Sequence, residues 1–154
     1  MVKELLSQGE RSLSDLSAIA FGRGPGAFTG LRIAAGFTQG LAYGHDLPVV
    51  SVSNLQALAM HALSEVPDAK SCLTLIDARM DETYWGLYQR DGAGLPLLVD
   101  SEAVDKPEVL AEKFESVEQL PVLGSGLNYA ERLGVINAWA PKISMPKHPS
   151  DLIA

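Results

Sequence analysis

The chain has 154 residues, of which 47% are hydrophobic and 20% charged, and its formal net charge is −7. This composition excludes an intrinsically disordered polypeptide, and the length allows one domain or two small lobes. The negative charge disfavours dominant binding to nucleic acid, because phosphate backbones are repelled. We expect a cytoplasmic protein, because the first residues lack a secretory apolar segment and the apolar run 33–43 is too short to span a bilayer.

The first third of the chain predicts helices that alternate with short buried strands. The predicted elements are a helix over 2–8, a strand over 16–21, a helix over 29–43, a strand over 47–52 and a helix over 54–66. Thr29 is predicted to cap the second helix. Ser53, with Gln56 three residues later, predicts a capping box at the start of the third helix.

Strands predominate after Pro67, where the pattern of the chain changes. The predicted elements are strands over 71–77, 83–90 and 95–100, a helix over 106–115, and a strand followed by a helix within 120–134. The three strands are typical of an antiparallel meander. Cys72, the single cysteine, is predicted to be a small buried residue of the first of these strands. The last fifteen residues have no regular pattern.

Glycines dominate the segment AFGRGPGAFTGLR, residues 20–32, between a predicted strand and a predicted helix. Backbone amides of Gly24, Gly26, Thr29 and Gly30 could hold a phosphate or carboxylate at the helix start. The spacing matches neither a P-loop nor a dinucleotide fingerprint, so a turn that starts the helix is the simpler interpretation. Asp77, at the end of a strand, is followed by Arg79, Asp81 and Glu82, which is typical of a charged hairpin with solvated ends, and one carboxylate does not make a metal site.

The helix over 29–43 has almost no polar surface. Gly36, Gly40 and Gly44 recur every four residues and therefore share one face. Two interior glycines cost about 1 kcal/mol each relative to alanine, so close packing against another backbone must offset that loss. A helix that is apolar all round is buried on more than one side. A sheet covers only one side, so we expect a second helix, from this chain or a partner, on the other.

Two segments, GRGPGAFTGLRIAAGFTQGLAYGHDLPVVSVSNLQALA and IDARMDETYWGLY, resemble the bacterial TsaB (YeaZ) family. The resemblance implies an α/β fold of the actin-like, RNase H-like (ASKHA) class with two lobes. It also implies a role in making threonylcarbamoyladenosine in tRNA, with the catalytic paralogue TsaD and the small ATPase TsaE as partners. We expect the lobes to be residues 1–66 and 67–154.

The family pattern has parts that this sequence does not show. Family members begin with a β-meander ahead of the first long helix, and on that comparison about fifty residues of the N-terminal lobe are expected to be missing here. The last family helix is also expected to be missing. The resemblance therefore predicts an incomplete N-terminal lobe and a truncated C-terminal lobe.

The resemblance further implies that the chain is not an enzyme. TsaD carries an HxxxH metal pair, whose positions fall on Asn54 and Leu58 here. Leucine cannot bind a metal, and His61 has no histidine partner three or four residues away. We therefore expect no catalytic residue, no metal and no cofactor.

Two hypotheses follow. The first is a non-catalytic scaffold that pairs with TsaD, or with a second copy of itself when alone, meets tRNA only through the complex, and does not contact a membrane. Its predicted interface consists of residues from the first two helices, namely Val2, Leu5, Leu6, Leu31, Arg32, Ala35, Gly36, Thr38, Gln39 and Ala42. The alternative is an actin-like phosphate- or nucleotide-binding hydrolase or sensor that uses residues 24–30 and Asp77.

Overall fold

A computed structural model describes residues 2–116, 119–134 and 136 of the chain. The chain divides into two compact units, Met1–Val52 and Ser53–Ala154. This division falls between residues 52 and 53, whereas the sequence predicts a lobe boundary between residues 66 and 67. The third helix belongs to the second unit because its buried residues Leu55, Ala59 and Leu63 join a core with strand residues of that unit. The irregular pattern predicted for the last fifteen residues lies outside the described residues.

Unit 1, Met1–Val52, is a parallel strand pair with a helical crossover. Its elements are α1 (Val2–Gln8), a short 3-10 helix (Leu13–Asp15), β1 (Ile19–Gly22), α2 (Phe28–His45) and β2 (Val49–Val52). Strands β1 and β2 run parallel, with Ile19 opposite Val49 and Gly22 opposite Val52. Parallel strands need a long connection, and α2 supplies it. The predicted helices and strands of this region are confirmed, with shifted ends.

Both ends of α2 differ from the prediction. The helix begins at Phe28, and its N-cap is Ala27, which offers no capping side chain, so the prediction of Thr29 as the cap is wrong. At the other end Gly44 lies inside the helix, and Asp46 stops it in the left-handed conformation with φ of 51°. Aspartate tolerates this conformation better than most residues, and the Asp46 amide donates to the carbonyl of Ala42.

Unit 2, Ser53–Ala154, is a five-stranded sheet with helices. Its described elements are α3 (Asn54–Glu65), β3 (Ser71–Arg79), β4 (Glu82–Arg90), β5 (Pro96–Leu98), β6 (Ala103–Asp105), α4 (Pro107–Lys113), β7 (Val122–Leu123) and a 3-10 helix (Ser125–Arg132). The strand order is β5-β4-β3-β7, and β6 also pairs with β4. Only β7 runs parallel to its neighbour β3. The predicted meander is confirmed, with β6 as an unpredicted additional strand.

Hydrophobic clusters pack on both faces of this sheet, because successive residues of a strand point to opposite sides. Leu73 and Leu75 of β3 pack with Trp85, and with Leu110 and Phe114 from the region of α4. The rings of Trp85 and Phe114 meet edge to face with centroids 5.7 Å apart. The other cluster joins β3, β4 and β7 to α3, and its members are Leu55, Ala59, Ala62, Leu63, Cys72, Tyr88 and Leu123.

Cys72 is fully buried, as predicted. Burial raises the pKa of its thiol to about 12, so the thiol stays protonated at neutral pH. Within the described part of the chain, no helix combines the length and apolar character that crossing a bilayer requires.

Candidate protein-interaction site

One flank of α2 faces the strands of its own unit. Thr38 and Ala42 are only 7% and 6% exposed, and Leu31 and Ala35 on the same flank are half-buried. Phe21 of β1 and Val49 of β2 line a common cavity with this flank. Thr38 and Ala42, two of the predicted interface residues, thus lie on the side of α2 that faces its own strands, and their role in an interface stays a prediction.

The same flank borders an open groove. The groove has a volume of about 580 Å³ and is lined mainly by apolar side chains, including Phe21, Ala35, Ala42, Tyr43 and Leu47. Packing between α2 and its strands is thus incomplete in unit 1.

The opposite flank of α2 carries the glycines and is open. A Cβ added at Gly36, Gly40 or Gly44 would meet no atom within 4 Å beyond the helix's own backbone. Beside these glycines, Ile33 is 67% exposed and Phe37 is 56% exposed. The predicted sharing of one face by the three glycines is confirmed, and we call Ile33, Gly36, Phe37, Gly40 and Gly44 the glycine face.

Polar and aromatic groups lie at the N-terminal end of the glycine face. The guanidinium of Arg32 stacks over the exposed ring of Phe28, 4.0 Å from its centroid. A cation held over an aromatic ring is partly oriented before it meets a partner. Of the predicted interface residues on α2, Arg32, Gly36 and Gln39 are exposed.

Helix α1 lies at the surface of unit 1. Leu5 is exposed, Val2 and Leu6 are half-buried, and none of the residues of α1 is buried. These three residues are available as the interface prediction requires. Packing of α1 beside α2 stays a prediction.

The glycine stretch before α2 is explained first as a turn. Gly24 is buried and has a φ of 104°, a conformation that strongly favours glycine. A Cβ on Gly24 would also lie 3.0 Å from Cδ1 of Leu31. The glycine is therefore needed for the chain to approach α2, whereas nothing lies within 4 Å of a Cβ at Gly30.

Asp77, the predicted nucleotide carboxylate, braces the end of β3. Its Oδ1 accepts a hydrogen bond from the Tyr129 hydroxyl at 3.0 Å and another from the Arg79 amide at 2.7 Å. The Asp77 amide donates to Oγ of Ser125 at 3.1 Å. The hydrogen bond to Asp77 raises the pKa of Tyr129. These contacts account for Asp77 structurally, and residues 24–30 belong to the other unit.

The turn Gly124-Ser125-Gly126 also has a packing explanation. Gly124 has a φ of 131°, and a Cβ there would lie 1.8 Å from the carbonyl oxygen of Leu75. A Cβ on Gly126 would lie 2.7 Å from Cβ of Leu75 and from Cγ2 of Thr83. Both glycines are required because this turn runs directly against β3.

Comparison with known proteins decides the family. The family model TsaD, tRNA N6-adenosine threonylcarbamoyltransferase, matches residues 1–131. The chain is 45% identical to the tRNA threonylcarbamoyladenosine biosynthesis protein TsaB of Escherichia coli, over 76% of this chain and 50% of that protein. It is 30% identical to the TsaB of Buchnera aphidicola subsp. Schizaphis graminum, over 95% of this chain and 70% of that protein. The chain belongs to the TsaB (YeaZ) family.

Solved structures agree with this assignment. YeaZ from Pseudomonas aeruginosa superposes with a TM-score of 0.84 at 44% identity, over 99% of this chain and 71% of that one. The fold is thus the ASKHA-type fold of the TsaB (YeaZ) family, as predicted. The chain spans about half the length of the TsaB proteins of Escherichia coli and Haemophilus influenzae, namely 50% and 49%.

The positions that correspond to the TsaD metal pair lie on α3 of this TsaB-family chain. Asn54 is the first residue of that helix, and Leu58 packs against its hydrophobic cluster. No group of three or more metal-binding side chains occurs among the residues with described positions.

Ser53 caps the start of α3, and its hydroxyl is in turn bonded to the carboxylate of Glu102. The Ser53 hydroxyl accepts from the amides of Leu55 at 3.1 Å and Gln56 at 3.3 Å, which confirms the predicted cap. The side chain of Gln56 does not complete the predicted capping box, and it donates instead to the carbonyl oxygen of Pro96 at 3.2 Å. The hydroxyl of Ser53 donates to Glu102, which also accepts from the Tyr88 hydroxyl at 2.5 Å.

Sequence reasoning missed this contact and one further polar contact of unit 2. The Arg132 guanidinium contacts Asp81 at 2.9 Å and Glu108 through a second nitrogen at 3.1 Å. The arginine holds the pKa of Glu108 below its ordinary value. The partners are 51 and 24 residues from Arg132 in sequence, so no local pattern could indicate them.

Proposed function

We propose that this chain is a non-catalytic subunit that supports threonylcarbamoyladenosine synthesis in tRNA by pairing with TsaD through the glycine face. The observation that carries the proposal is the open, apolar glycine face of α2 in a chain of the TsaB family. Chemistry would stay on TsaD, because the corresponding metal-ligand positions here hold Asn54 and Leu58.

The glycine face suits a partner helix. Glycine at every fourth residue lets the axis of a second helix approach closely. Ile33 and Phe37, beside the line of glycines, supply apolar surface that the second helix can bury. Leaving two such side chains more than half exposed forgoes burial worth about 1 to 2 kcal/mol each. A partner that covers them recovers this free energy.

A TsaD-like partner is favoured because the chain itself matches the TsaD family model over residues 1–131. Two chains of the same fold can meet through equivalent elements in a pseudo-twofold arrangement, as identical subunits do in a dimer. The same face would then serve a second copy when TsaD is absent. TsaE is expected to join the complex, and tRNA is expected to contact TsaD, since the net charge of −7 repels phosphate.

A large side chain placed at the centre of the glycine face tests the proposal, because it should block a partner helix without disturbing the fold. In Gly40→Leu, the new Cβ meets no atom within 4 Å beyond the helix's own backbone, and leucine stabilises a helix relative to glycine. We expect the variant to fold, and its affinity for TsaD to fall at least about tenfold, since overpacking an interface costs about 1 to 3 kcal/mol. Affinity is measured by titration calorimetry, and folding by circular dichroism.

Gly92→Leu is the matched control, because a Cβ at Gly92, in a turn of unit 2, also meets nothing within 4 Å. This variant should bind TsaD like the parent. Full affinity of a folded Gly40→Leu protein for TsaD would contradict the proposed interface.

A further inference from the structure

The hairpin between β3 and β4 ends in an unusual turn. Arg79 pairs with Glu82, so Met80 and Asp81 form a two-residue loop, and their φ angles are 51° and 62°. Such loops favour asparagine and glycine, because both central residues are left-handed. A methionine in this conformation is uncommon.

Contacts before and within the turn hold it in place. Before the turn, the amide of Arg79 donates to Asp77, which is itself bonded to Tyr129. Within the turn itself, Asp81 pairs with Arg132 at 2.9 Å. Met80 is therefore held at the tip by a braced backbone.

The side chain of Met80 projects into water. It is 94% exposed, whereas Met60 on α3 is 45% exposed. Met1 and Met145 lie outside the described residues. Oxidants reach an exposed thioether freely, and susceptibility of methionine follows exposure.

We propose that Met80 is a modification site, at which peroxides convert the thioether to the sulfoxide. With hydrogen peroxide, the sulfur lone pair attacks one oxygen and the O–O bond breaks. That oxygen stays on sulfur and loses its proton to the departing hydroxide, which leaves as water. Sulfur is oxidised by two electrons and the peroxide is reduced. A thiol-dependent methionine sulfoxide reductase reverses the change, with two thiols oxidised to a disulfide and the oxygen released as water.

The modification should leave the fold intact. An almost fully exposed side chain loses no packing when it becomes polar, and the contacts of Asp77 and Asp81 that hold the turn do not involve the Met80 sulfur. The tip would change from an apolar to a polar surface without a change in the backbone. This inference is independent of the proposed pairing with TsaD.

Limited treatment of the folded chain with hydrogen peroxide, followed by peptide mass spectrometry, tests the site. A synthetic peptide with the sequence DARMDETY gives the rate for a methionine without a fold. We expect Met80 to be oxidised within about twofold of the peptide rate and Met60 to be oxidised at least about twofold more slowly, in the order of their exposure. The thermal unfolding midpoint should not change when Met80 alone is oxidised.

Met80→Leu supplies the matched control, since it keeps an apolar side chain of similar size and should remove the oxygen gain from this peptide only. Treatment of oxidised protein with the reductases and dithiothreitol should restore the original mass. Oxidation of Met80 that is slower than that of Met60, or more than about fivefold slower than in the peptide, would overturn the proposal.

Discussion

Glu102 shows how one side chain can tie separate segments together. Its carboxylate accepts hydrogen bonds from the hydroxyl groups of Ser53, at the start of α3, and Tyr88, inside β4. Both donors are almost fully buried, at 2% and 1% exposure. A hydrogen bond to a charged acceptor contributes more than one to a neutral acceptor, so the charge of Glu102 matters for stability.

We therefore expect Glu102→Gln to lower the free energy of unfolding by about 1 kcal/mol, because the acceptor oxygen remains but the charge is lost. Urea denaturation measures the change. Glu65→Gln, an exposed change at the end of α3, is the control for charge alone. Equal stability of the two variants would show that the carboxylate does not act as argued.

The ion pair of Glu108 with Arg132 makes the stability of the fold depend on pH. Arg132 lowers the pKa of Glu108, so this pair contributes stability above the ordinary glutamate pKa of about 4.3, and the contribution is lost as pH falls through the lowered value. We expect Glu108→Gln to reduce the loss of stability between about pH 6 and pH 3. Unfolding midpoints at a series of pH values check this, and parallel curves for the parent and the variant would contradict it.

At the scale of elements, the periodicity of apolar residues predicts where helices and strands lie better than it predicts where they begin and end. The apolar runs of β3 and β4 and the apolar pattern of α3 predict those elements closely, because each contributes several buried side chains. The start of α2 was missed, since a Thr29 cap is the better local choice but the buried turn at Gly24 fixes where the chain enters the helix.

The face of α2 that a partner would use could be predicted only in part. The four-residue spacing of its glycines lies within the helix sequence, and it predicts correctly that they share one face. Which apolar flank meets the sheet depends on where β1 and β2 lie, and that information is not in the helix pattern itself. The helix pattern alone therefore cannot indicate that Thr38 and Ala42 face the strands of their own unit.

At the scale of the whole molecule, burial is uneven between the two units. The largest fully buried side chains among the described residues, including Leu73, Tyr88 and Leu123, all belong to unit 2. In unit 1 the most buried side chains of α2 are the small residues Thr38 and Ala42. Free energy from apolar burial scales with area, so unit 1 gains less.

Amide hydrogen exchange should reflect this difference. We expect amides of β3 and β4 to exchange only with global unfolding, and amides of β1 and β2 to exchange at least about tenfold faster through local opening. Mass spectrometry of peptides after exchange in D₂O measures both. Similar protection of β1 and β3 would contradict the uneven burial.

The two-strand sheet of unit 1 has a consequence for how the chain behaves in solution. Among the described strands, β1 and β2 pair only with each other, so the outer amides and carbonyls of each form no ladder hydrogen bonds with another described strand. Mutual repulsion from a charge of −7 keeps copies apart at neutral pH. Acidification weakens that repulsion as carboxylates take up protons, so we expect association through these strand edges to increase as the pH falls.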